Sequence, residues 1–221
     1  DRPVMPGARW FEGAQVNYAR QVLRHADAAH AAGHPAIVFA DERQPQPRAM
    51  SWPELRRQVG CFAAALRQMG VERGDRVVAY LPNAPEAIVA FLACASLGAI
   101  WSVCSPDMGP VAVLDRFRQI EPKVLIAVDG QTWAGTTHDR RAVLAEVLAA
   151  DFAAPARAAH AWADCVRGEP GTWQPEWQPE WLPFDHPLWI VYSSGTTGLP
   201  KPIVHGHGGI MLEMLKGGAF H

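Results

Sequence analysis

The 221-residue sequence predicts an α/β fold, built as a layered, mostly parallel sheet that is flanked by helices. Three observations predict this class. Short apolar runs alternate with segments of helical periodicity, the runs are continuously apolar, and Gly or Pro stands between neighbouring elements. Continuously apolar strands are typical of a parallel sheet that is covered on both faces, whereas strands with one wet face alternate between apolar and polar residues.

Five apolar runs are predicted to be strands, and they span residues 36–40, 76–81, 99–103, 124–128 and 188–192. A segment of helical periodicity follows each of the first four runs, with helices expected near residues 52–69, 84–97, 111–120 and 140–150. The alternation of strand and helix is typical of a sheet with right-handed crossovers. Residues 151–187 lose this pattern and are expected to form a long surface excursion, and residues 208–220 to form a final helix.

The first two helices have recognisable ends. Ser51 and Glu54 have the spacing of a capping box, in which the hydroxyl and the carboxylate satisfy free amides at the helix start. Asn83 is expected to cap the second helix in the same way, and Gly98 to end it.

Charge and hydropathy exclude two classes of partner. A formal net charge of −2 provides no positive field, so no nucleic-acid partner is expected. Twenty uncharged residues lie between Glu86 and Asp107, which is long enough to span a membrane. Because Ser96, Gly98 and Ser102 interrupt the stretch, it is interpreted as a buried helix, a turn and a buried strand, and no membrane partner is expected.

The four cysteines are scattered singly, at Cys61, Cys94, Cys104 and Cys165. This spacing matches no zinc site and favours free thiols in a reducing compartment. The sequence opens without a signal segment, so a cytoplasmic location is expected.

The segment that indicates chemistry directly follows the last predicted strand. It contains four hydroxyl side chains, two glycines and one lysine, namely Ser193, Ser194, Gly195, Thr196, Thr197, Gly198 and Lys201. Glycines let backbone amides approach phosphate oxygens, hydroxyls donate hydrogen bonds, and a lysine adds a mobile positive charge. The carboxyl end of a strand is also where open α/β sheets bind ligands. A flexible linker without a ligand is the alternative interpretation.

The segment is not a Walker A loop. That motif places its lysine directly between Gly and Ser or Thr, whereas Pro200 precedes Lys201 and Pro202 follows it. A generic P-loop phosphotransferase is therefore excluded.

Residues 193–201, read as Ser-Ser-Gly-Thr-Thr-Gly-Leu-Pro-Lys, resemble the phosphate-binding signature of adenylate-forming enzymes, the acyl-CoA synthetase superfamily. The resemblance continues through residues 51–55, 70–77 and 81–86. Within the superfamily, residues 10–18, 101–109 and 201–209 are most similar to acetoacetyl-CoA synthetases. Pro202 and the Pro106-Asp107 pair differ from the glycines usual in acetyl-CoA synthetases.

The resemblance implies ATP-dependent activation of acetoacetate to an acyl-adenylate, followed by transfer to coenzyme A. ATP, Mg²⁺ and coenzyme A are the implied cofactors, and a short carboxylic acid is the implied small-molecule partner. The β- and γ-phosphates would be bound by Ser193, Ser194, Thr196 and Thr197, and Gly195 and Gly198 would keep the loop close to them. Lys201 would be catalytic, because it would neutralise the charge on departing pyrophosphate. Another short acid, such as acetate or propionate, and a non-catalytic nucleotide-binding fragment remain the alternatives.

The resemblance also implies that residues 1–221 are the first subdomain of a larger N-terminal adenylation domain. The C-terminal lid domain would lie outside this chain, the remainder of the same protein would be its partner, and the 221 residues alone are expected to be inactive. His205 and His207 stand two residues apart, which favours local hydrogen bonding over a metal site, so no metal ligand is expected within the chain.

Overall fold

The computed structural model describes residues 10–150, 158–167, 177–193 and 198–220. Its central sheet has five strands. Their order across the sheet is β11 (Lys201–Gly206), β10 (Pro187–Ser193), β5 (Ile100–Cys104), β4 (Arg76–Tyr80) and β6 (Val124–Ala127). The last four run parallel, and β11 returns antiparallel to β10. The predicted α/β class and mostly parallel sheet are confirmed.

Helices cover both faces of this sheet. In chain order they are α1 (Tyr18–Leu23), α2 (Ala26–Ala31), α3 (Trp52–Gln68), α4 (Pro85–Leu97), α5 (Pro110–Phe117), α6 (Arg141–Ala149), α7 (Trp162–Arg167) and α8 (His207–Phe220). Val77 and Ala79 pack on the side of α3 and α4, whereas Val78 and Tyr80 pack on the side of α5 and α6. The strand β4 is thus buried on both faces, which explains its continuous apolar run.

Within the described ranges, three small antiparallel sheets lie outside the central one. They pair β1 (Gln15–Val16) with β9 (Leu182–Pro183), β2 (Ile37–Asp41) with β3 (Gln44–Met50), and β7 (Gly130–Trp133) with β8 (Thr136–Asp139). The expectation that the first apolar run joins the parallel sheet is wrong. Val38 in that run is 61% exposed, because β2 forms a hairpin with β3 instead.

The segment between α6 and β10 is more ordered than expected where it is described. Trp162 on α7 stacks on Phe62 of α3 with ring centroids 4.6 Å apart. Further on, the Glu180 carboxylate pairs with Arg67 at 2.6 Å and Arg73 at 3.0 Å. These contacts fasten the excursion along the α3–α4 layer.

The two predicted helix caps differ in outcome. The Ser51 hydroxyl accepts a hydrogen bond from the Glu54 amide at 3.3 Å, so the hydroxyl half of the capping box is confirmed. The Glu54 carboxylate instead accepts from the side chains of Arg57 and Gln58. At α4 the N-cap residue is Ala84, with no side-chain cap, and Asn83 is exposed, so the Asn83 prediction is wrong. Gly98 ends α4 at φ +71°, and a Cβ there would come within 2.8 Å of Leu182.

The asparagine that does cap a helix is Asn17. It is 1% exposed, and its Oδ1 accepts from the amides of Ala19 and Arg20 at the start of α1. Its Nδ2 donates to the carbonyl oxygens of Ala95 at 2.8 Å and Glu180 at 2.9 Å. One amide therefore joins α1, the end of α4 and the segment leading into β9.

A buried histidine makes a second link to α1. His207 is fully buried at the start of α8, and its Nδ1 accepts a hydrogen bond from the Tyr18 amide at 3.0 Å. Its own backbone amide donates to the carbonyl oxygen of His186 at 2.9 Å. Burial lowers the pKa of His207 to about 3, and the nearby His186 ring adds to this.

Replacing Asn17 with Ala should lower the free energy of unfolding by about 2 kcal/mol or more. The change removes a helix cap and the side-chain donor to the carbonyl oxygens of Ala95 and Glu180. Asn83→Ala is the matched control, because that side chain is exposed and caps nothing. Denaturant unfolding of both variants checks this, and equal losses would contradict the assigned role of Asn17.

Replacing His207 with Asn should remove part of the acid sensitivity of the fold. An Asn can still accept from Tyr18 but does not titrate. With a folded pKa of about 3 and an ordinary value of 6.5, His207 is neutral when folded and takes up a proton on unfolding between these values. The contribution of neutral His207 to the free energy of unfolding is complete above pH 6.5 and is lost as the pH falls toward 3.

The measurement is the free energy of unfolding of both proteins at a series of pH values. Within that window the wild-type protein should lose up to about 1.4 kcal/mol per pH unit more than His207→Asn. Parallel pH profiles would show that His207 titrates normally in the folded protein.

Candidate functional site

The predicted phosphate-binding segment is the loop of a β-hairpin. Ser193 is the last residue of β10, Lys201 is the first of β11, and the two are directly paired across the hairpin. Side chains directly opposite each other in an antiparallel pair project from the same face. The Ser193 hydroxyl and the Lys201 ammonium group therefore leave the sheet side by side.

The structure describes only part of this loop. Ser194, Gly195, Thr196 and Thr197 lie outside the described residues, so their predicted roles stay predictions. Gly198 has φ +125°, a conformation that side-chain-bearing residues rarely adopt. Leu199 is 61% exposed and Lys201 is exposed, so the described end of the loop faces solvent.

The loop leaves the sheet at its carboxyl edge. Strands β4, β5, β6 and β10 are parallel, and Tyr80, Cys104 and Ala127 end three of them at one level. The loops that follow these strands meet at this edge, which is the ligand-binding edge of open α/β sheets. Ser193 and Lys201 therefore lie at this edge, and their roles toward phosphate stay predictions.

The attachment of β10 to β5 places the hairpin at this edge. Trp189 of β10 lies opposite Trp101 of β5, and the Ser102 hydroxyl, 2% exposed, donates to the Ile190 carbonyl oxygen at 2.8 Å. Phe91 of α4 packs between the two indoles, with ring centroids 6.3 Å from Trp101 and 5.6 Å from Trp189. Hydrogen bonding and aromatic packing together hold the base of the hairpin.

The loop after β5 lies at the same edge and contains the Pro106-Asp107 pair. The Tyr80 hydroxyl lies 2.7 Å from the Pro106 carbonyl oxygen and 2.8 Å from that of Met108, and its single proton is shared between them. Burial raises the pKa of Tyr80, which keeps this hydroxyl a donor at neutral pH. The loop that contains the Pro106-Asp107 pair is thus held by a buried side chain.

Sequence reasoning gave no role to two residues that contact the ends of the phosphate-binding segment. The Tyr192 hydroxyl donates to the Arg116 carbonyl oxygen at 2.7 Å, and the Gln119 amide donates to the Pro200 carbonyl oxygen at 2.9 Å. Gln119 lies in an ordinary polar stretch after α5, so no sequence signal marks it. Only the folded chain brings it to the loop.

His205 and His207 lie toward the end of the hairpin opposite to the loop, because β11 runs from Lys201 at the loop to Gly206, which pairs with Pro187 at the start of β10. His207 accepts from the Tyr18 amide, and the His205 ring lies edge-on to Trp189 with centroids 6.2 Å apart. In the part of the chain that the structure describes, no three His, Cys, Asp or Glu side chains are grouped to hold a metal ion. His207 is hydrogen-bonded, but its partner Tyr18 is 189 residues away, so the expectation of local hydrogen bonding beside the phosphate loop is wrong.

Cys104 ends β5 at the carboxyl edge of the sheet, and no cysteine lies in the described part of the loop itself. Cys61, Cys94 and Cys104 are buried and Cys165 is half-buried, and all four are free thiols. Burial raises the pKa of Cys104 to about 11, so its thiol stays protonated at neutral pH. Among the described residues, no helix combines the length and the apolar character needed to cross a membrane.

Comparison with known proteins agrees with this geometry. The protein is 40% identical to acetoacetyl-CoA synthetase of Rattus norvegicus over 96% of its length, and 42% identical to acetoacetyl-coenzyme A synthetase of Rhizobium meliloti (strain 1021) over 100%. The solved structure of acetoacetyl-CoA synthetase from Streptomyces lividans superposes with a TM-score of 0.83 at 46% identity, covering 96% of this chain and 33% of that one.

The aligned region is only part of each relative. The chain spans about a third of their length, 34% of the Rattus norvegicus protein and 35% of the Rhizobium meliloti protein. The family described as AMP-binding enzyme matches residues 23–219, which include the whole central sheet and the hairpin with Ser193 and Lys201. The chain therefore belongs to the AMP-binding enzyme family.

Proposed function

We propose that the complete protein containing these residues is an ATP-dependent acetoacetate–CoA ligase. The observation that carries the proposal is the pairing of Ser193 with Lys201 at the carboxyl edge of the sheet, on either side of a loop rich in hydroxyls and glycines. The names of the relatives, acetoacetyl-CoA synthetases, support acetoacetate as the acid.

In the first half-reaction, a carboxylate oxygen of acetoacetate attacks the α-phosphorus of ATP. The bond from that phosphorus to the bridging oxygen breaks, and pyrophosphate leaves with its electron pair. Ser193 would donate to a β- or γ-phosphate oxygen, and Ser194, Thr196 and Thr197 would extend the set of donors. Lys201 would offset the negative charge that grows on the pyrophosphate.

In the second half-reaction, the thiolate of coenzyme A attacks the acyl carbon, and AMP leaves with the electron pair of the broken carbon–oxygen bond. Mg²⁺ would supply further charge neutralisation in the first half-reaction. The residues of this chain that the proposal uses are the donors of the hairpin, which bind and orient the phosphates.

Residues 1–221 would form part of the N-terminal adenylation domain, with the lid domain elsewhere in the same protein. Exposed apolar side chains on the hairpin and on α8 fit this arrangement, since a further part of the chain would cover them. They are Val191 and Ile203 on the hairpin and Leu212, Met214 and Leu215 on α8. We place the protein in the cytoplasm, which is consistent with its free thiols.

Two alternatives have specific support. A ligase for acetate or propionate would use the same loop, because the hairpin contacts phosphate and not the acid. A protein that binds nucleotide without chemistry would also need only the loop. The Pro106-Asp107 pair and Pro202 favour acetoacetate over acetate.

Acid-dependent exchange of labelled pyrophosphate into ATP tests the proposal directly. The complete gene product would be assayed with acetoacetate, acetate, propionate and butyrate. We expect acetoacetate to support exchange well above the other acids. Preference for another acid would establish the alternative substrate, and exchange with none would favour a nucleotide-binding protein without chemistry.

Replacing Lys201 with Ala should lower the rate of adenylation about 100-fold while changing the KM for acetoacetate little. The ammonium group acts on charge that develops only as pyrophosphate leaves. Lys123→Ala is the control, because Lys123 lies at the opposite edge of the sheet and pairs with Asp75 at 2.8 Å. Steady-state pyrophosphate exchange gives both parameters, and an equal effect on rate and acid KM would argue against this role.

A further inference from the structure

Both ends of the phosphate-binding loop are fastened to one place, the carboxyl end of α5. Just before the loop, the Tyr192 hydroxyl donates to the Arg116 carbonyl oxygen at 2.7 Å. Just after it, Gln119 Nε2 donates to the Pro200 carbonyl oxygen at 2.9 Å. Arg116 is in the last turn of α5, and Gln119 lies two residues beyond the end of that helix.

The Gln119 contact is well defined. Its Nε2 also donates to the Asp115 carbonyl oxygen at 2.6 Å, so each amide proton has a carbonyl acceptor. Two carbonyl oxygens can be satisfied only by the NH₂ end of the amide, which fixes the orientation of the group. Gln119 is exposed, so burial does not offset the rotamer entropy that its side chain loses when these two hydrogen bonds hold it in one conformation.

The Tyr192 contact comes from the other face of the hairpin. Neighbouring residues of a strand point to opposite faces, so Tyr192 faces α5 while Ser193 and Lys201 project from the opposite side. The Arg116 guanidinium lies 5.7 Å from the centre of the Tyr192 ring, which adds a second contact with the same helix. Burial raises the pKa of Tyr192 to about 12, so the hydroxyl remains a donor.

These contacts reach the phosphate-binding residues through the backbone. The Pro200 carbonyl belongs to the planar peptide unit that joins Pro200 to Lys201. Holding that oxygen therefore fixes the position from which the Lys201 side chain starts. In the same way, the hydrogen bond of the Tyr192 hydroxyl fixes the backbone from which the Ser193 side chain starts, because the two residues are neighbours in β10.

We propose that Gln119 and Tyr192 are positioning residues that clamp the two described ends of the loop onto α5 and so preorganise Ser193 and Lys201 for the triphosphate of ATP. Neither side chain contacts the ligand. The inference rests on the proposed function for its ligand, and on the hydrogen bonds of Tyr192 and Gln119 for the clamp. A loop already held in place gives up less conformational entropy when it binds phosphate.

The test uses the complete gene product and two nearly isosteric variants. Gln119→Glu keeps the length of the side chain but replaces the donor with a carboxylate, which repels the Pro200 carbonyl oxygen. Tyr192→Phe removes only the hydroxyl. Gln68→Glu is the matched control, because Gln68 is an exposed glutamine at the end of α3, far from the loop in the fold.

Two readouts separate positioning from general stability. In pyrophosphate exchange, Gln119→Glu should raise the KM for ATP about tenfold, with Tyr192→Phe acting in the same direction and the KM for acetoacetate nearly unchanged. In hydrogen–deuterium exchange without nucleotide, amides of residues 193–201 should exchange faster in both variants. The unfolding temperature and the exchange of α3 and α4 should match those of Gln68→Glu.

The outcomes distinguish this inference from the proposed function. Unchanged KM for ATP, or unchanged amide exchange in residues 193–201, would overturn the clamp. A general drop in unfolding temperature with equal effects on both substrates would also overturn it, since that is the result of a purely structural role. If the wild-type protein shows no pyrophosphate exchange with any acid, the proposed function fails. The clamp is then judged on amide hydrogen exchange of residues 193–201 alone, measured without nucleotide and with ATP.

Discussion

The junction between β5 and β10 is the contact on which the rest of the site depends. The chain makes a long excursion after α6 before it returns to the sheet as β10, so this strand is not delivered by a short crossover. Its place is set by the pairing of Trp189 with Trp101, by the Ser102 hydroxyl on the Ile190 carbonyl, and by Phe91 between the indoles. Without that junction, the loop between Ser193 and Lys201 would have no fixed position at the carboxyl edge.

Helix α5 connects two features of this edge. Its amino end follows the loop that contains Pro106 and Met108, whose carbonyl oxygens lie within hydrogen-bonding distance of the Tyr80 hydroxyl. Its carboxyl end contacts Tyr192 and is followed by Gln119. Val113 and Phe117 are fully buried and hold the helix against the sheet. The same rigid element therefore supports the loop after β5 and the phosphate-binding hairpin.

The fold was predictable where local pattern and tertiary structure agree. The strands β4, β5, β6 and β10 and the helices α3 to α6 follow from the sequence pattern, because each strand is a continuous apolar run and helices such as α3 and α5 have a clear apolar stripe. The short helix α7 was not predicted. The pattern could not show which strand would pair with β2, since a short apolar run specifies neither a partner strand nor the register of the pairing. It also missed β11, because Pro202 and the polar residues of that segment do not resemble a strand.

The same limit applies to single side chains. Asn17 and Asn83 both precede helices, yet only Asn17 is buried among carbonyl oxygens that it can serve, and that depends on α4 and the segment before β9. Ser193 and Lys201 were found because their motif is contiguous. Gln119 and Tyr192 could not be found, because their partners are separated from them by 81 and 76 residues.

The most direct test of the account is a crystal structure of the complete gene product with a non-hydrolysable ATP analogue. We expect β- or γ-phosphate oxygens within about 3 Å of Lys201 Nζ and Ser193 Oγ, with the Pro200 carbonyl still bound to Gln119. A triphosphate bound away from residues 193–201, with the hairpin loop free of ligand, would contradict the central claim that this hairpin is the nucleotide site.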